Sequence, residues 1–163
     1  MKRRRKSRIL ALGMLYGMDL QRDTSIGGAR LVLDLFTPRM EQCVEDYALH
    51  LVHGVLMHKT AFDEMLARQA FNWKLNRIAV IDRLAMYIAL FEMMYEDSVP
   101  DVVCINEAID IVKLFSTSES GQFVNGILDN IRKEHARVKN AEEEKPAKEA
   151  RRPNDAPSQH EDA

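Results

Sequence analysis

The fold is decided by the run Arg77–Glu96, which reads RIAVIDRLAMYIALFEMMYE. Its apolar side chains return at intervals of three and four residues: Ile78, Ile81, Leu84, Ala85, Ile88, Phe91 and Tyr95. This spacing is typical of an α-helix, and here the apolar side chains cover much of its circumference. The run therefore predicts a helix at the centre of the core. It is expected to end at Asp97–Pro100, where proline cannot continue a helix.

The segments on both sides of this helix also have helical spacing. Stripes of apolar residues precede it, at Ile9, Leu12, Tyr16 and Leu20 and again at Val44, Tyr47, Leu51 and Val55. Further helices are predicted after it, at Ile105–Phe115 and beyond Gly121. The sequence thus predicts an all-α domain over residues 1–138, and a joint at 72–76 divides it into helical groups of about 1–72 and 73–138. Residues 139–163 have few apolar side chains, which predicts a disordered charged tail.

Charge is distributed unevenly, although the formal net charge is only −2. Six basic and no acidic side chains lie in residues 2–8, here called the basic arm: Lys2, Arg3, Arg4, Arg5, Lys6 and Arg8. Residues 9–138 carry 12 basic and 18 acidic side chains. On a helix the arm's side chains would point all round the axis, so they cannot pack on an apolar core. The arm is expected either to fray in water or to bind the phosphates of a nucleic acid.

Several other functions are not indicated by the sequence. Two cysteines without a CxxC motif predict a reducing cytoplasm rather than a disulfide framework. No apolar run approaches the roughly 20 residues that span a bilayer. Asp46, His50 and His53 have a helical spacing that a metal could use, but no HExxH motif is present, so ordinary surface histidines are favoured. Nucleophile and nucleotide motifs are absent too, so no enzyme, metal or cofactor is expected.

Four stretches together resemble the bacterial NusB family: Arg77–Arg83, Leu90–Glu92, Ile105–Ala108 and Phe123–Asp129. The resemblance extends over about residues 3–135. It implies an all-helical protein of about seven helices in two packed subdomains. It also implies a non-enzymatic factor that binds the boxA element of nascent ribosomal RNA together with NusE, a small-subunit ribosomal protein. Such a factor helps to assemble an RNA polymerase complex that resists termination.

The resemblance further implies which residues form the binding sites. Phosphate contacts would come from Arg3, Arg4, Arg5, Lys6 and Arg8, with Tyr16 nearby. Glu119 and Phe123 would lie beside the RNA at the start of the last helix, where Phe123 could stack on a base. Asp82 and Tyr87 would face NusE, although Tyr87 replaces a residue that is often basic in the family. Some members self-associate, so a homodimer is also compatible with the resemblance.

Two other functions stay open at this point. The chain could be a helical protein-interaction adaptor that binds no RNA, with the arm as a solvated basic end. It could also be a NusB-like module accessory to ribosomal RNA methylation. The second alternative is the weaker one, because no Gly-rich cofactor loop is present.

Overall fold

The computed structural model describes residues 2–22, 24–36, 40–69 and 77–149, and within these ranges the regular structure is helical. The helices are α1 (Arg3–Gln21), α2 (Ile26–Phe36), α3 (Gln42–Gln69), α4 (Val80–Tyr95), α5 (Asp101–Phe115) and α6 (Ser120–Glu149). The predicted all-α class is confirmed. The described residues contain six helices, where about seven were expected.

The chain divides into two compact units, Met1–Arg132 and Lys133–Ala163. The backbone is helical as far as Glu149, so the first part of the predicted disordered tail is helical, and the disorder of the rest, which lies outside the described residues, stays a prediction. Residues 141–145 are Ala, Glu and Lys, which have high intrinsic helix propensity. The predicted joint at 72–76 lies outside the described residues, so the division into subdomains at about residue 72 stays a prediction.

Helix α4 lies at the centre of the core, as the sequence predicts. Every side chain from Leu84 to Glu92 is buried. Helix α4 packs against α1, α3 and α5, and α1 also contacts α2 and α3. The first turns of α6 contribute four further buried residues, Val124, Ile127, Leu128 and Ile131. This packing holds the N-terminal end of α1 beside α4 and α5.

Gly54 of α3 lies against the ring of Phe91 on α4. A Cβ atom at this position would overlap Cε2 of Phe91. Real Cβ atoms do not approach a ring carbon that closely, so the absent side chain is what allows the Phe91 ring to pack here.

Gly54→Ala is expected to lower the free energy of unfolding by about 1–3 kcal/mol, because the methyl group overpacks the contact with Phe91. Urea unfolding followed by circular dichroism measures this difference. Gly13→Ala is the matched control, since no atom lies within 4 Å of its added Cβ. Alanine at that helical position should stabilise the fold by about 0.5–1 kcal/mol. Equal effects of the two substitutions would contradict this account of Gly54.

Candidate nucleic-acid interface

The basic arm forms the first turns of α1 and presents part of its charge to solvent. The Arg3 side chain is 72% exposed, and its Nε lies 2.7 Å from Oε2 of Glu41. Arg4 donates from both terminal nitrogens to Oγ of Ser98, at 3.4 and 3.3 Å. Its guanidinium also lies 4.9 Å from the centre of the Tyr47 ring. Lys2 is exposed and Lys6 half-buried.

Arg5 points instead towards two carboxylates on α5. Its Nε and Nη2 donate to the two oxygens of Glu107 at 2.9 and 2.8 Å, and Nη2 also donates to Asp110 at 2.6 Å. The bond from Arg5 lowers the pKa of Glu107 more than burial raises it, so this pKa lies below its ordinary value of 4.5. The stabilisation from Glu107 is therefore present above its unfolded-state pKa and is lost as the pH falls through the lower folded-state value.

Arg8 is buried, with only 4% of its side chain exposed. Its Nε and Nη2 donate to the two oxygens of Glu92 at 2.8 and 2.9 Å, and Nη1 lies 3.3 Å from Oε2 of Glu107. Tyr47 donates its hydroxyl to the same Glu92 at 2.6 Å. Burial opposes the charge of Arg8, yet these carboxylates raise its pKa. The predicted phosphate contact by Arg8 is therefore corrected, since its guanidinium is already held by carboxylates inside the domain.

A groove of about 490 Å³ runs along the start of the arm. We call it the arm groove, and it is lined by Lys2, Arg3, Arg4, Arg5, Arg8, Ser98, Val99, Pro100, Val103 and Glu107. The N-terminal ends of both α1 and α5 open onto it. Neither helix has a side-chain cap, so the first backbone N–H groups remain available to an acceptor. Basic side chains and free helix N-termini together favour a polyanion here.

A second groove, of about 680 Å³, lies between α5 and the start of α6. We call it the amide groove, and it is lined by Asn106, Ile109, Asp110, Lys113, Ser118, Gly121, Gln122 and Asn125. Its amide side chains present both hydrogen-bond donors and acceptors, the groups that can recognise base edges. The sequence analysis did not identify this groove, because these residues have no distinctive spacing and come together only when α6 packs beside α5.

The remaining predicted RNA residues lie apart from the linings of these grooves. Tyr16 is 39% exposed on α1, several turns beyond the arm. Glu119 is exposed immediately before α6, and its carbonyl accepts the N–H of Phe123 at 3.3 Å. Phe123 is half-buried and packs against the core. Their sequence neighbours Ser118 and Gln122 line the amide groove, but neither Glu119 nor Phe123 belongs to that lining.

Asp82 and Tyr87, predicted to face a protein partner, are inside the domain. Asp82 is 5% exposed and Tyr87 is 1% exposed. Tyr87 donates its hydroxyl to Asp63, and burial together with this bond raises the pKa of Tyr87. The Asp82 Oδ1 atom is buried without a hydrogen-bond partner among the described residues. Direct contact of either side chain with a partner is therefore corrected, because α4 is central and both side chains are buried in the domain.

The histidines of α3 make contacts with α4. His50 Nε2 lies 2.5 Å from Oε1 of Glu96, and the ring of His58 stacks on Tyr95 with centroids 4.1 Å apart. Within the described ranges, no group of three or more His, Cys, Asp or Glu residues is arranged to hold a metal ion. No described helix is both long and apolar enough to cross a membrane.

The fold and the grooves define a class of small all-helical domain with a cationic surface at one helix N-terminus. Comparison with known proteins identifies the family. The NusB family model matches residues 5–133, so the chain belongs to the NusB family.

Individual relatives agree with this assignment. The transcription antitermination protein NusB of Desulforapulum autotrophicum is 38% identical over 129 residues, which covers 79% of this chain and 90% of that protein. The solved structure of T. maritima NusB is 32% identical, with a TM-score of 0.72, and covers 80% of this chain and 91% of that one. A complex of the antitermination factors NusB and NusE with double-stranded RNA has a TM-score of 0.71 at 23% identity, over 82% of this chain and 98% of that one. At this identity the complex shows the shared fold alone.

Proposed function

We propose that this protein is a transcription antitermination factor that binds boxA-type single-stranded RNA together with NusE. It acts in the cytoplasm as a non-catalytic adaptor that helps to assemble the antitermination complex on RNA polymerase. The observation that carries the proposal is the arm groove, where basic side chains and two uncapped helix N-termini meet. Family membership supports it, because the relatives are named as antitermination proteins.

The arm supplies affinity through phosphate contacts. Lys2, Arg4 and Lys6 carry the most available charge, because no carboxylate partner is found for them in the described part of the chain. Arg3 can also contact a phosphate by releasing Glu41, because the ion pair between Arg3 and Glu41 is mostly exposed and costs little to break. Each phosphate neutralised on a single strand contributes about −0.7 to the slope of log K against log salt.

The bases supply specificity in the amide groove. Its Asn106, Gln122 and Asn125 amides can each donate and accept hydrogen bonds, and Lys113 can contact a phosphate beside them. Phe123 follows Gln122 in the chain and is only half-buried, so the exposed part of its ring can stack on an unpaired base. The NusE contact falls on other surface residues than Asp82 and Tyr87, since both of these are buried.

Titration with a boxA-like RNA and with a scrambled RNA of the same composition tests the function, each with and without NusE. The boxA-like RNA should bind more tightly, and NusE should increase the difference, because the two proteins share one RNA. Fluorescence anisotropy at fixed salt measures the four affinities. Equal affinity for both RNAs, with and without NusE, would favour a helical adaptor that does not bind RNA.

A further inference from the structure

The contact between Arg5 and Asp110 lies between the two grooves. Arg5 and Glu107 line the arm groove, whereas Asp110 lines the amide groove. The bond from Arg5 Nη2 to Asp110 is 2.6 Å long. An RNA strand that occupies both grooves must therefore pass this ion pair.

The two carboxylates that hold Arg5 differ in exposure and in bonding. Glu107 is 15% exposed, binds Arg5 through both oxygens and also contacts Arg8, so it belongs to the buried network. Asp110 is 47% exposed and binds one nitrogen of Arg5. Breaking the bond to Asp110 would leave the Arg5 guanidinium in position, because both bonds to Glu107 remain. Asp110 is thus the exchangeable partner of the two.

We propose that Asp110 moderates RNA affinity by competing with RNA phosphate for Arg5. In the free protein its carboxylate accepts a second bond from Nη2, the nitrogen that also donates to Glu107, and in the complex a phosphate oxygen of the crossing strand takes the place of Asp110. Glu107 keeps the guanidinium oriented throughout. This inference rests on the proposed function, because it concerns the same RNA surface.

The exchange takes place with RNAs whose bases fit the amide groove. Carboxylate and phosphate oxygens accept the same guanidinium N–H groups, so one displaces the other at a modest cost for an exposed pair. A strand that contacts the arm alone does not need this exchange. For a strand that continues into the amide groove, base contacts there offset the cost of displacing Asp110. Asp110 therefore lowers the affinity of a strand that crosses between the grooves, and it keeps a strand that contacts the arm alone from using Arg5.

The test is Asp110→Asn, which removes the charge and keeps the shape of the side chain. The affinity of the full-length chain for a scrambled single-stranded RNA should rise roughly two- to five-fold, the range of a single exposed ion pair. The salt slope should steepen by about 0.7, the contribution of one additional phosphate contact. The affinity for a boxA-like RNA should rise at least as much, because its strand already displaces Asp110 in the wild type, and for the same reason its salt slope should stay unchanged.

Glu64→Gln is the matched control. It removes one exposed negative charge from α3, roughly 30 Å along that helix from the end that meets Arg3. Its affinity and salt slope should equal those of the wild type. Asp110→Ala serves as a second variant, and circular dichroism checks that both Asp110 variants are folded.

A double-mutant cycle with Arg5→Ala decides whether the effect acts through Arg5. If Asp110 acts by occupying Arg5, Asp110→Asn should change neither affinity nor slope in the Arg5→Ala background. The same gain in both backgrounds would overturn the inference, because it would reflect net charge alone. If the wild type prefers boxA-like RNA and Asp110→Asn binds both RNAs with the wild-type affinity and salt slope, this inference is overturned and the proposed function stands. Absence of RNA binding by the wild type would overturn both.

Discussion

Glu92→Ala is expected to lower the free energy of unfolding by about 3–5 kcal/mol, the usual cost of leaving one partner of a buried ion pair uncompensated. Arg8 would lose both bonds to Glu92, and Glu107 at 3.3 Å is its remaining carboxylate. The Tyr47 hydroxyl would lose its acceptor as well. Chemical denaturation followed by circular dichroism measures the difference. Because small domains are stable by only about 5–15 kcal/mol, the variant should be close to unfolding at 37 °C.

The control for this prediction replaces both partners. A double variant with Arg8→Met and Glu92→Leu removes both charges and keeps most of the volume. It should regain much of the lost stability, because paired apolar residues often substitute for a buried ion pair without cost. If Glu92→Ala lowers the free energy of unfolding by less than about 1 kcal/mol, the structural role of the pair is contradicted, since exposed ion pairs contribute in that range.

This pair also shows where reasoning from charge alone fails. The sequence assigns five cations of the arm to RNA: Arg3, Arg4, Arg5, Lys6 and Arg8. In the structure, Glu41, Glu92, Glu107 and Asp110 all contact arm residues. Part of the acidic excess therefore neutralises the arm from within the chain. Sequence counting cannot detect this, because the paired residues are about 40 to 100 positions apart and meet only through tertiary packing.

Local periodicity predicted the helices much better than it predicted the sites. The stripe from Ile78 to Tyr95 predicts α4 and its central position, because a helix that is apolar on most sides has to be buried. The same centrality buries Asp82 and Tyr87, which the family resemblance had placed at a protein interface. The amide groove was missed for a related reason. Its walls come from α5 and α6, and the sequence of either helix alone does not predict how the two pack together.

Replacing Lys2, Arg4 and Lys6 together by alanine is expected to lower RNA affinity roughly 100-fold at 0.1 M salt. These cations have no carboxylate partner among the described residues, so their phosphate contacts are not reduced by internal competition. Three lost contacts should also make the slope of log K against log salt shallower by about 2. Fluorescence anisotropy at several salt concentrations measures both quantities. Stability should change little, since exposed charges contribute little to folding.

The charge-matched control is the triple variant Arg30→Ala, Arg68→Ala and Arg77→Ala. All three arginines are exposed, and none lies in the arm. Since this variant removes the same positive charge from other surfaces, its salt slope should stay within error of the wild-type slope. Equal weakening by the two triple variants would mean that the RNA responds to net charge rather than to the arm groove. If the variant that lacks Lys2, Arg4 and Lys6 keeps the wild-type slope of log K against log salt, the phosphate contacts lie elsewhere on the molecule.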